Sequence, residues 1–135
     1  MCSSFRRIAL PEIKDSRGCL MFAEEGRHIP FPVKRIFAIY GVPDGSARGG
    51  HAHRTQEQLI FMVAGECTAI IDDGQDRTRQ HLTTPTEGLY VSAGTWLELV
   101  EFSKSAVCVA LASGLFDESD YIRDREEFLA LKSAA

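Results

Sequence analysis

Residues 49–58 read GGHAHRTQEQ, placing His51 and His53 two apart with Glu57 and Gln58 just behind them. On a β-strand, side chains at i and i+2 leave the backbone on the same face. Two convergent imidazoles suit one of two chemistries. They can hold a metal ion together with further ligands, or they can carry protons, because imidazole titrates close to neutral pH. Deciding between these requires the elements that must hold the pair in place.

With 135 residues, of which 44% are hydrophobic, the chain suits one domain with a substantial core and no second catalytic module. We therefore read residues 1–135 as a single domain. The formal net charge is −4, and the arginines (Arg6, Arg7, Arg27, Arg35, Arg48, Arg77, Arg79) are scattered, which argues against a nucleic-acid surface but leaves local anion binding open. Cys2, Cys19, Cys67 and Cys108 form no CxxC pair, as expected of free thiols in a reducing cytoplasm. No apolar run approaches ~20 residues, so no membrane span is expected.

The punctuation along the chain is that of an all-β protein. Short runs rich in β-branched and aromatic residues recur as CLMFAEE, VKRIFAIY, QLIFMVAG, ECTAIIDD, GLYVSAG, TWLELVEF and AVCVALAS, separated by Gly, Pro, Asp and Ser clusters. Their number predicts a sandwich or barrel. Asp73-Gly74 is the strongest hairpin signal. Only SDYIRDREEFLALK, residues 119–132, changes period: Tyr121, Ile122, Phe128, Leu129 and Leu131 fall near helical spacing, with Ser119 or Asp120 as the cap. A closing C-terminal helix is predicted there.

A small β-barrel carrying Gly45, then His51-x-His53, a carboxylate or amide four or five residues on, and Gly65 resembles the first motif of the cupins. Metal-binding cupins add a glutamate soon after HxH and a histidine from a second motif. Here that second motif would be Ser92-Ala-Gly-Thr-Trp-Leu97, which puts leucine at the histidine position, while Gln58 stands in the register that often holds the carboxylate. An open metal site keeps about three protein ligands, and two are assured here. The expectation is a site with no metal and no cofactor, in which the histidines move protons.

A closer resemblance rests on DSRG at 15–18, IPFPVKRIF at 29–37, RGGHAH at 48–53, GLYV at 88–91 and FDESDYIRDREEF at 116–128. Together these strings resemble the sugar nucleotide 3,4-ketoisomerase family of the cupin superfamily. The resemblance implies a single-domain cupin (jelly-roll type) β-barrel with a short C-terminal helix, usually a homodimer. It implies an enzyme that isomerises dTDP-4-keto-6-deoxyglucose on the way to 3-amino-3,6-dideoxy sugars of surface polysaccharides or glycosylated products. Carried over by position, His51 resembles the base acting on carbons 3 and 4, and His53 the group that moves protons between the two oxygens. Arg17 matches a position near the hexose. Arg48 serves the same anion or braces the fold, Gln58 forms a hydrogen-bonding wall, and Tyr40 and Tyr90 are weaker substrate-binding candidates. Leu97 stands where relatives carry a polar residue. It is expected to shape one wall of the pocket, while Arg17 tilts the expected product towards the galacto configuration at carbon 4.

Two other readings fit the same residues: a 3,5-epimerase of the same sugar nucleotide, which also needs a histidine base, and a sugar-binding cupin without catalysis. A metal-dependent cupin oxygenase is disfavoured by Leu97. Elsewhere, His28 and His81 are expected in solvent, Trp96 and Phe102 in the core, and Glu98 on the face of Trp96.

Overall fold

The computed structural model describes residues 4–134, so Cys2 lies outside the described residues. The chain is almost entirely β. In order, the strands are β1 (Phe5–Ala9), β2 (Glu12–Asp15), β3 (Gly18–Met21), β4 (Arg35–Tyr40), β5 (Arg48–His53), β6 (Gln58–Ala64) and β7 (Cys67–Asp72). They continue as β8 (Arg77–Leu82), β9 (Glu87–Val91), β10 (Trp96–Val100), β11 (Val107–Ala112) and the two-residue β12 (Tyr121–Ile122), before the helix α1 (Arg125–Ala134).

Ten of these strands form two five-stranded antiparallel sheets, ordered β1-β9-β6-β11-β4 and β12-β5-β10-β7-β8. Their inner faces share one core, to which Ile60, Met62, Leu89 and Cys108 of the first sheet and Cys67, Ile71, Leu82 and Leu99 of the second contribute. This is the expected jelly-roll arrangement, built as two facing sheets. The β7–β8 hairpin turns where Asp73-Gly74 predicted. Gly74 adopts φ +98°, and the Asp72 and Asp73 carboxylates accept backbone N–H bonds from Gly74, Gln75 and Asp76 within the turn.

β2 and β3 stand apart. They pair only with each other, every residue of β2 is exposed, and Ile13 and Leu20 turn apolar side chains outward. The expected strand over 19–25 thus ends at Met21, because the ribbon has no core to extend along.

The C-terminal segment corrects the sequence reading. Residues 118–120 form one 3₁₀ turn, Tyr121 and Ile122 pair with His53 and Ala52 of β5, and the helix starts only at Arg125. Asp124 caps it, its side chain accepting from the Glu126 N–H and its carbonyl from Phe128. Ser119 and Asp120 therefore cap nothing in α1. Phe128 is fully buried against Trp96, Ala52 and Ile122, whereas Leu129 and Leu131 remain exposed. His28 departs from its expected solvent position too: it is half-buried, its Nδ1 accepting the Glu24 N–H and its ring edge meeting Phe22.

Candidate active site

β5 enters the second sheet with two consecutive glycines in the left-handed region, Gly49 (φ +84°) and Gly50 (φ +76°). A Cβ on Gly49 would lie 2.8 Å from the Leu97 carbonyl oxygen, so this close approach admits only glycine. Opposite them the β5–β10 register slips between Leu97 and Glu98, which is a β-bulge. Beyond it, His51 pairs directly with Leu97, and the ordinary alternation of the strand sends His51 and His53 inward together. Their ring centroids are 5.1 Å apart and nearly perpendicular.

Between the sheets lies a cavity of about 470 Å³. His51, Gln58, Leu97 and Arg48 line it, joined by Arg35, Phe37 and Ile39 of β4 and by Tyr121 and Arg123. Among the described residues three arginines line this space and no carboxylate does, Arg123 being paired with Glu118 at 2.7 Å. A larger depression of about 880 Å³ runs past Arg6, Tyr90 and Lys132, and neither histidine lines it.

The two histidines are not equivalent. His51 lines the cavity, with its Nδ1 buried and making no hydrogen bond of ordinary geometry, which leaves Nε2 as the nitrogen open to a bound molecule. Burial, reinforced by the positive charges of His53 and Arg123, pushes its pKa down to about 4. His53 sits behind it at 6% exposure, with both nitrogens engaged: Nδ1 lies 3.0 Å from the Asp120 carboxylate and Nε2 lies 3.1 Å from the Gln58 amide nitrogen. Burial lowers the His53 pKa, against the pull of Asp120. Burial also pushes the Asp120 carboxyl upward, but hydrogen bonds from Thr55, His53 and the Gln56 backbone outweigh it and hold the group below its ordinary value. The Tyr121 ring lies across both imidazoles, 4.8 Å from His51 and 4.4 Å from His53.

The other expected site residues divide. Gln58, Leu97 and Arg48 reach the cavity as anticipated. Arg17 does not: it sits at the tip of the β2–β3 ribbon, 88% exposed and paired with Asp15 at 2.7 Å. Tyr40, 73% exposed, lies at the outer end of β4 in a depression that adjoins the cavity and shares Ile39, Ala47 and Arg48 with it. Tyr90 donates its hydroxyl proton to Glu57, and neither tyrosine lines the cavity beside His51. Sequence reasoning missed Arg35, Asp120, Tyr121 and Arg123. The alternation Tyr121-Ile122-Arg123, with Ile122 in the core and its neighbours towards the cavity, was the available signal, and the helical spacing of the following residues masked it.

Among the described residues no three His, Cys, Asp or Glu side chains are grouped to hold a metal ion. The donor set around His51 does not supply one, since Gln58 and Leu97 occupy the wall and Asp120 is committed to Thr55, Gln56 and His53.

The chain matches the family model described as FdtA, WxcM-like, C-terminal, over residues 3–133. It is 40% identical over 121 residues, 90% of this chain and 87% of the other, to the TDP-4-oxo-6-deoxy-alpha-D-glucose-3,4-oxoisomerase of Aneurinibacillus thermoaerophilus. Among solved structures it is similar to a 3,4-ketoisomerase from Helicobacter canadensis, with TM-score 0.93, 35% identity, and 96% of this chain and 97% of that one covered. It is similar also to a histidine-to-asparagine variant of the 3,4-ketoisomerase QdtA from Thermoanaerobacterium thermosaccharolyticum in complex with TDP-4-keto-6-deoxyglucose, with TM-score 0.95, 28% identity, and 99% and 97% covered. The two-sheet fold, the paired inward histidines and these similarities place the chain in the FdtA family of cupin-like proteins, whose relatives named above are sugar nucleotide 3,4-ketoisomerases.

Proposed function

We propose that this protein is a 3,4-ketoisomerase that moves the keto group of dTDP-4-keto-6-deoxyglucose from carbon 4 to carbon 3. The observation that carries the reading is a neutral, cavity-facing histidine beneath a wall with three arginines and no carboxylate. A nucleotide sugar brings an anionic diphosphate, which arginine binds through paired, charge-assisted donors. It also brings an acidic C–H beside a ketone, which an uncharged imidazole can deprotonate.

In this mechanism His51 takes the proton from carbon 3, the electron pair forms the C3–C4 double bond, and the carbonyl oxygen on carbon 4 accepts a proton to give the enediol. The hydroxyl on carbon 3 then gives up its proton, its carbonyl forms, and His51 returns a proton to carbon 4. Electrons balance within the sugar, so no redox partner takes part. His53 was expected to carry the oxygen-bound protons; with both of its nitrogens engaged and little exposure, it serves this reading better by orienting its neighbours. The cavity-lining Tyr121 hydroxyl is the better-placed group for that transfer. Leu97, paired opposite His51, forms an apolar wall. The product we favour has the galacto configuration at carbon 4, set by the face on which that carbon receives its proton.

The exposed β2–β3 ribbon supports a homodimer. A lone two-stranded ribbon is marginal in water, and the open edge of β4, with Ile36 and Tyr40 exposed, offers an apolar counterpart on a second copy. The inward residues of β4 line the cavity, so a ribbon laid on that edge would bring Arg17 to the rim of the partner's site, reconciling its 88% exposure with a role near the hexose. Sedimentation velocity tests this: a species of twice the chain mass is expected, and a monomer at micromolar concentration would end the proposal. Free thiols at Cys19, Cys67 and Cys108 accord with a cytoplasmic location, and no helix among the described residues is long and apolar enough to cross a membrane.

Incubation with dTDP-4-keto-6-deoxyglucose in deuterium oxide decides the activity. Deuterium at carbon 4 of a 3-keto product is expected. Label at carbon 5 would indicate an epimerase, and tight binding with no conversion would indicate a sugar-binding protein.

A further inference from the structure

Behind His51 runs a chain of hydrogen bonds whose polarity is fixed at one end. The Asp120 carboxylate is anchored by the Thr55 N–H at 2.8 Å and the Thr55 hydroxyl at 2.7 Å on one oxygen, and by the Gln56 N–H at 3.2 Å on the other. A carboxylate only accepts, so the His53 nitrogen 3.0 Å away must carry the hydrogen. In neutral His53 the opposite nitrogen, Nε2, is then a lone pair and only accepts. Gln58, 3.1 Å from it, must present its NH₂ group, which turns the amide oxygen Oε1 away from His53. Oε1 has no hydrogen-bond partner among the described residues and is not sealed from solvent, while the Gln58 side chain lines the cavity.

We propose that Asp120 is a positioning residue that, acting through His53, locks the Gln58 amide with its carbonyl oxygen towards the cavity as the acceptor for a hydroxyl of the bound hexose. This rests on the sugar-nucleotide reading above. It gives a purpose to a buried acid that does not line the cavity. It also explains why a neutral amide suits position 58: glutamine offers a donor on one side and an acceptor on the other, which neither leucine nor a carboxylate does.

The test begins on the wild-type protein with no substrate. Two-bond ¹⁵N–¹H correlation spectra of ¹⁵N-histidine-labelled protein are expected to show His53 as the Nδ1–H tautomer; an Nε2–H tautomer would overturn the proposal. Asp120→Asn, which can present an N–H to His53, is expected to switch that tautomer and to weaken binding of the sugar nucleotide by about 10-fold, while TDP alone binds as before. Gln58→Leu is expected to produce the same split between sugar nucleotide and TDP with the tautomer unchanged. The double variant should be no worse than Gln58→Leu alone, since both changes remove one interaction. Multiplying effects, or equal losses for TDP and sugar nucleotide, would overturn it. If Asp120→Asn fails to fold, the wild-type tautomer and the Gln58→Leu split still decide. Failure of the activity reading registers separately, as absence of conversion by the wild-type protein.

Discussion

The space between the two sheets is apolar at one part and polar at the other, and the two parts are held by different physics. Around Met62, Cys67, Leu82, Leu89 and Cys108 the side chains are 0 to 1% exposed within one apolar cluster, and burial drives both thiol pKa values upward, Cys67 to about 11 and Cys108 to about 12. His53, Gln58 and Asp120 are nearly as buried and His51 beside them is partly buried, yet these side chains meet through directed hydrogen bonds and ring faces. The apolar part tolerates variation in shape at a cost proportional to lost contact. In the polar part the orientation of a single hydrogen propagates from one residue to the next. Stability should therefore reside chiefly in the first and chemistry in the second.

The largest expected effect breaks the second part alone. His51→Asn removes the one imidazole that lines the cavity among the described residues and should lower kcat by about 100-fold to 10,000-fold. Nucleotide affinity should hold, since the proposed partners of the diphosphate are the arginines. Steady-state kinetics beside calorimetric titration with TDP check both, and near-normal turnover would remove His51 from the role of base.

The mirror experiment is Leu82→Ala. Leu82 is 1% exposed in the shared core on β8 and does not line the cavity. Its truncation should destabilise the fold by about 2–5 kcal/mol in urea denaturation while kcat per folded molecule stays unchanged. A matching loss of kcat would show that the two parts are coupled.

The smallest effect concerns pH. His51 must be neutral to accept a proton and is held so down to about pH 4, so the rate assigned to it should stay level as pH falls through 6.5 and decline only near 4. Stability behaves differently. The unfolded chain takes up this proton around the ordinary value of 6.5 and the folded chain does not, so stability falls as pH drops from about 6.5 towards about 4 and this contribution is constant below. A kinetic limb at 6.5 would show His51 to be solvated in the working enzyme.

Much of this was legible from residue order. Alternation places His51 and His53 on one face, Asp73-Gly74 makes the hairpin, and Leu97 does stand opposite the histidines. Trp96 and Glu98 share a face as their spacing requires, the indole donating to the Glu98 carboxylate at 3.0 Å. The reading failed where two periods overlap. SDYIRDREEF carries helical spacing through Phe128, but Tyr121 and Ile122 gain strand pairing with β5, and that tertiary ladder prevails over local propensity. The failure concealed Asp120, Tyr121 and Arg123 together, because a 3₁₀ turn ending at Asp120 and a short strand over Tyr121 and Ile122 stand where a continuous helix was expected.

The sequence by itself determined which side chains share a face, since a two-residue period follows from the geometry of a single strand. It also determined the chemical kinds available and the residue, leucine, that stands where a ligand histidine would be. Only the tertiary structure decided which of two similar imidazoles meets open space. Asp120 is 67 residues from His53 in the chain, and β12 brings it alongside. Burial, charge and hydrogen-bond direction are sums over neighbours that are distant in sequence, so the difference between His51 and His53 exists only once the sheets have closed over them.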